Sequence, residues 1–169
     1  GVVPGVPLTI ALRAQDPWFA TRLLDAGASP NPRDNPLGPM MTAIGLGSAG
    51  GVRLLLDHRA DLGATERTGN NALLTALDMD QFTIAELLVA RGADVWAIDS
   101  SGGNFGTSVT RPIVSTDPVQ ASAQQRLAAR LPSIGWPSPP PDPRAVRKMA
   151  LAGEWPPAAA KGKGHVPEP

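Results

Sequence analysis

Apolar residues recur along this chain at helical spacing, in short runs that come in pairs. Leu8, Ala11 and Leu12 make one narrow stripe, and Phe19, Ala20, Leu23 and Leu24 a second. Met40, Ala43 and Ile44 are followed by Val52, Leu55 and Leu56, and Leu73, Ala76 and Leu77 by Ile84, Ala85, Leu88 and Val89. Spacings of three and four residues put each set on one face of an α-helix. The polar breaks between sets predict where helices start and stop. Asp16 is placed to cap a helix whose first residue is Pro17, where a missing N–H costs nothing. Gly27 and Gly92 stand where a helix-ending left-handed residue is cheapest, and Arg59 takes that place in the middle pair.

The pairs are copies of one another. VPLTIAL…RLLDAGASPN from Val6, GPMMTAI…RLLLDHRADLG from Gly38 and NALLTAL…ELLVARGADVW from Asn71 align at offsets of 32 and 33 residues. A helix pair this short cannot bury its own apolar face, so roughly three or more units must stack. A fourth unit begins, because Asp99-Ser100-Ser101-Gly102 repeats the turn Glu66-Arg67-Thr68-Gly69 at the same interval. The pattern is then lost: NFGTSVTRPIVSTDP reads as no good helix, and apolar periodicity resumes only at Val119–Leu131. This stretch is expected to act as a cap, with Leu127 and Leu131 covering the last stripe.

The expected organisation is a short extended N-terminal extension (1–5), three units and the start of a fourth (6–105), and a degenerate capping unit (106–131). A proline-rich tail (132–169) follows. Within the tail, PSPPPDP (137–143) favours polyproline II and a stiff spacer. A short helix at 143–154 is expected, with Asp142 as cap and Val146, Met149 and Ala150 as its face. Residues 156–169 have the composition of a disordered end.

Bulk properties narrow the function. Net charge is zero, but residues 1–110 carry 7 Lys/Arg against 11 Asp/Glu, and residues 111–169 carry 8 against 4. An acidic front half argues against a nucleic-acid surface, which needs clustered cations. The basic tail is too sparse for a polybasic arm and could fold back on the acidic half. Without cysteine there is no thiol catalysis, disulfide or cysteine zinc site. No apolar run approaches the ~20 residues that span a bilayer. The chain starts at Gly1 without Met, which suggests a fragment or processed product. A cytoplasmic protein is the expectation, with export of a parent protein the alternative. The preference for Arg over Lys, with much Ala, Gly and Pro, suggests a GC-rich bacterial genome.

Gly45-Leu46-Gly47-Ser48-Ala49-Gly50 spells G-x-G-x-x-G, and Asp61 or Glu66 lies at a distance suited to a ribose contact. The repeat register contradicts a dinucleotide site. It makes MMTAI helix where the fingerprint needs a strand, and it turns the glycines into a bend that the sister units build without them. Asp78 and Asp80, two apart, point different ways on a helix and read as solvated turn residues. His58, near a helix end, has no second His or Cys nearby for a metal. Trp18 and Trp96 fall inside units. Trp136 and Trp155 bracket the proline-rich segment and are expected to pin the tail to the repeats, the alternative being exposed anchors for a partner.

At the quoted residues the chain resembles the ankyrin-repeat family, whose unit is a β-turn finger plus two antiparallel helices. The family's T-P-L-H-x-A motif is partly matched by Val6–Ala11, Gly38–Ala43 and Asn71–Ala76, with its His missing in all three. The missing His bears on the local rigidity of the turns, which that residue and the Thr knit together in the family. The L-L-x-x-G-A-D signature is better kept, at Leu23–Ala28 and Leu88–Asp94. The resemblance implies an all-α ankyrin-repeat solenoid, helix–turn–helix repeats joined by β-turn fingers, with the proline-rich tail after it. It also implies a non-catalytic module, without cofactor or metal, that binds another protein through finger tips and inner helices.

Carried over by position, the partner-binding candidates are Asp34, Asn35 and Leu37 on the first full finger and Arg67, Thr68 and Asn70 on the next. Ser100, Ser101 and Gly103 occupy the third, and Arg13, Leu46, Asp78 and Met79 the inner helices. The expectation is a protein monomeric on its own, with no nucleic-acid or membrane partner. Its form is an inhibitor or immunity protein of a bacterial toxin or enzyme, or else a targeting or autoregulatory domain of a larger protein. A nucleotide-binding or enzymatic domain built on residues 45–50 is the alternative of another class.

Overall fold

A computed structural model describes residues 6–158. The extended reading of residues 1–5, and that of a disordered end from 159 onward, lie outside the described residues. Within them the secondary structure is helical, with one antiparallel bridge between Ile98 and Asn104. Each of the first three units is a helix pair: α1 (Val6–Arg13) and α2 (Pro17–Asp25), α3 (Gly38–Gly45) and α4 (Ala49–Asp57), α5 (Ala72–Asp78) and α6 (Phe82–Ala90). The inner helices α1, α3 and α5 pack side by side, and the outer helices α2, α4 and α6 form a second layer. The register residues Ala11, Ala43 and Ala76 are buried between the layers, with Leu55, Leu88 and the small Ala20 and Ala85.

Side-chain caps set the helix starts. Asp16 accepts from the Phe19 N–H at 2.9 Å, Ser48 from Gly51 at 3.0 Å and Asn71 from Leu74 at 2.9 Å. The family's His position holds Thr9, Met41 and Leu74. Leu74 is buried there, so packing replaces a polar link, and the Asn71 cap secures the turn beside it.

Between the paired helices, the bend residue is left-handed in every copy: Gln15 at φ 51°, Gly47 at 62° and Asp80 at 54°. Gly47, the middle glycine of the G-x-G-x-x-G string, is therefore the shared bend, flanked by helices on both sides. At the helix ends Gly27 and Gly92 lie at φ 91° and 89°, and Arg59 is held left-handed at 65° in the same place.

The fourth unit departs from expectation. The stretch after Asn104 forms a helix, α7 (Phe105–Thr110), followed by α8 (Pro118–Ala129). Asn104 drives this start: its Oδ1 accepts from the Thr107 N–H at 3.0 Å while its Nδ2 donates to the Gly102 carbonyl at 2.9 Å. With only Phe105 and Val109 as its large apolar residues, the six-residue helix is too short to show a periodic signal. The α8 helix lies against α6, where the Arg126 guanidinium grips Glu86 at 2.7 and 2.8 Å, and Leu127 is fully buried. A single turn, α9 (Leu131–Ile134), then leads into α10 (Pro143–Leu151), which Asp142 caps at the Ala145 N–H. Val146 is buried beneath α10, with Met149 and Ala150 half-buried.

Candidate protein-binding face

The exposed surface of the inner helices is built at their C-terminal ends. Arg13 ends α1, Leu46 caps α3, Asp78 ends α5 and Met79 follows it, all four exposed. Leu46 is 39% and Met79 46% accessible, high for large apolar side chains. Between α1 and α3 a groove of about 550 Å³ opens, lined by Arg13, Asn35, Gly38, Met41, Thr42, Gly45, Leu46 and Glu66. Glu66, Met41 and Thr42 were not expected at this face. Met41 and Thr42 lie on α3 itself, and Glu66 is brought in by the juxtaposition of its finger with the helix of the preceding unit.

On the fingers, Asp34, Asn35, Arg67, Thr68, Ser100 and Ser101 are exposed. Three candidates differ. Leu37 is 4% accessible, so its side chain belongs to the interior at the start of α3 and is closed to a partner. Asn70 is half-buried, its Oδ1 shielded without a partner while its side chain hydrogen-bonds Asp78. Gly103 is half-buried and donates its N–H to Asp99 at 2.9 Å.

The two aspartates of the α5 turn have opposite fates. Asp80, read from sequence as solvated, has a side chain only 13% accessible. It pairs with Arg111 at 2.8 Å and accepts from the Val114 and Ser115 N–H groups at 3.1 and 3.2 Å. Arg111 also donates to the Leu77 carbonyl at 2.9 Å, so this cluster fastens the end of α7 to the third unit. Asp78 stays at the surface. Desolvation, then the nearby Asp99 carboxylate, push its pKa up against the Asn70 hydrogen bond and the Arg111 charge. Asp99 moves the other way. Desolvation raises it, but hydrogen bonds from the Ser101 hydroxyl and the Gly103, Ser101 and Gly102 amides outweigh that and hold it low.

The tail lies on the fourth finger. Trp136 stacks on Trp96 with centroids 4.7 Å apart and planes 4° from parallel. Trp155 stands edge-on to both rings, at 5.6 and 5.2 Å, and its Nε1 donates to the Trp96 carbonyl at 2.9 Å. Gly106 admits this packing, since a Cβ there would fall 2.6 Å from the Trp136 ring. Gly102, left-handed at φ 90°, lies directly under the Pro143 carbonyl at the start of α10. Trp18, by contrast, is 70% accessible at the first turn of α2.

Among the described residues no three His, Cys, Asp or Glu side chains converge as a metal site. None of the described helices is long and apolar enough to cross a membrane.

Helix pairs stacked in register, joined by turn fingers and fastened unit to unit, define a helical repeat protein. The family model of ankyrin repeats, in three copies, matches residues 7–99, and the chain belongs to that family. It is also similar to Zygote-specific protein 3 of Chlamydomonas reinhardtii, 38% identical over 91 residues. That match covers 52% of this chain and 24% of the relative, so the chain spans about a quarter of the relative's length. An algal relative lends no support to the bacterial origin suggested by composition.

Proposed function

We propose that this chain is a non-catalytic recognition module that binds a protein partner through the exposed ends of its inner helices and the adjoining finger tips. Ankyrin repeats are protein–protein interaction modules, and the surface of this chain suits that role. The carrying observation is the pair of exposed apolar side chains Leu46 and Met79, at the ends of neighbouring inner helices, with the exposed Arg13 and Asp78 at the ends of α1 and α5. Large apolar groups rimmed by charge are what a partner desolvates first. The module is monomeric on its own in this reading.

Two uses of the surface are distinguishable. The short span of the relative that is matched favours a targeting or autoregulatory domain within a longer protein. An inhibitor of a partner enzyme or toxin, of immunity type, would use the same face, and only then would the partner's activity fall on binding. Capture from a lysate of the source organism, with and without R67E, D78K and M79D together, tests the face. Capture lost in the triple variant with an unchanged melting midpoint supports it, and undiminished capture would show that another surface binds.

A further inference from the structure

The unit register lines up residues that sequence order separates. Arg13, Gly45, Asp78 and Arg111 occupy one position in four successive units. The row therefore runs from a cation, through a gap, to an anion, and Arg111 is neutralised by Asp80 at 2.8 Å. Gly45 is the gap. No atom lies within 4 Å of where its Cβ would stand, and the groove between α1 and α3 opens there. Next to Gly45 and Asp78 in sequence, Leu46 and Met79 supply exposed apolar surface, and Glu66 lines the groove with Arg13 and Gly45. Among the described residues Arg13, Glu66 and Asp78 take part in no ion pair.

We infer that this groove and the adjoining end of α5 select a linear polypeptide segment with an apolar side chain seated at Gly45, an acidic residue facing Arg13 and a basic residue facing Asp78. The inference rests on the protein-binding reading above and specifies the chemistry of the partner. Adjacent packed helices lie about 8–10 Å apart, so the flanking charges stand two such steps, roughly 16–20 Å, from each other. A short polypeptide segment spans that distance. An extended chain rising about 3.3 Å per residue does so in about five or six residues, which places the apolar residue about three from each charge. The order of charge matters as much as its presence, because Arg13 on α1 and Asp78 on α5 flank α3 from opposite sides.

The test is selection of linear dodecamers from a random phage-displayed library on the full chain. Enriched sequences should carry one acidic and one basic residue on opposite sides of a Leu, Met or Phe, about three residues from each. The selected peptides should bind G45L at least tenfold more weakly. A Cβ at this position meets no atom within 4 Å, so the melting midpoint of this variant should match the parent. Selection on the R13D/D78R double variant should return the opposite charge order. Peptides that bind G45L and the double variant as well as the parent would overturn the groove inference. If R67E then abolishes their binding, protein recognition by the fingers survives. Enrichment of no peptide at all would count against both.

Discussion

The two ends of the repeat stack solve one problem with opposite chemistry. At the first junction, Asn31 reaches across to the second unit, donating to the Arg59 carbonyl at 3.1 Å and accepting from the Asp61 N–H at 2.8 Å. Two units later the same register position is Trp96. There the indole stacks instead on Trp136 of the tail. A polar side chain that ties loop to loop has been exchanged for an aromatic surface that ties a different element to the stack. Buried aromatic area thus closes the C-terminal end, while the first junction adds hydrogen bonds at exposed loops to its helix packing. The first end also leaves Ile10, Trp18 and Phe19 accessible, whereas Ile84, at the register position of Phe19, is fully buried. Register thus fixes where contacts are made, and local residue type decides how strong they are.

The largest effect that would break this contrast is W136A. Removing a stacked, 5%-accessible indole should cost about 3–5 kcal/mol of unfolding free energy. Its counterpart W18A should stay within about 0.5 kcal/mol, as an exposed surface change does. Urea denaturation of both proteins, followed by circular dichroism, compares the two ends directly. G106A comes next. Its methyl group would enter the space of the Trp136 ring, and overpacking of this kind costs about 1–3 kcal/mol; a thermal scan with near-ultraviolet dichroism would show the indole signal weaken as the midpoint falls.

At the first junction smaller changes are expected. N31A removes two loop-to-loop bonds whose partners can turn to water, a loss of about 1 kcal/mol. R59G should stabilise by about 1 kcal/mol, since a left-handed non-glycine backbone costs roughly that much. Measured together, these two should nearly cancel in the double variant.

The smallest effect concerns pH. Asp78 has a raised pKa in the fold, so its contribution to stability is most favourable at low pH and falls as pH rises through that value. D78N should therefore raise the melting midpoint slightly at neutral pH and leave it unchanged well below the carboxylate range. Asp99, held low, contributes stability at neutral pH that is lost as pH falls through its folded pKa. D99N should accordingly lower the neutral midpoint, opposite in sign to D78N.

Much of the architecture was legible because repetition amplifies weak signals. Single helices of seven to nine residues carry little periodicity, but three aligned copies expose the alanine and leucine positions that pack between layers. The same alignment explained Gly47, since Gln15 and Asp80 occupy its left-handed bend without being glycine. Helix α7 was not legible, having one copy and only two large apolar residues to announce it. The face was partly legible. Arg13, Leu46, Asp78 and Met79 follow from register alone, and all are exposed. Leu37 did not follow, because a residue one step before a helix turns inward or outward according to a finger conformation that one sequence does not encode visibly. Asp80 was misread for a similar reason: its partners Arg111, Val114 and Ser115 lie more than 30 residues away. Trp136 and Trp155 pin the tail as their place around the proline-rich segment leads one to expect, but their common partner Trp96, 40 and 59 positions away, leaves no local trace in sequence.

Hydrogen exchange read by mass spectrometry tests most directly whether the tail belongs to the folded stack. The amides of α10 that close on Asp142, Lys148 and Ala150 should be protected to the same degree as those of α7. In W136A both sets should lose protection together while α3 to α5 keep theirs. Exchange of α10 at the rate of a free peptide in the parent protein, with α7 still protected, would contradict the account.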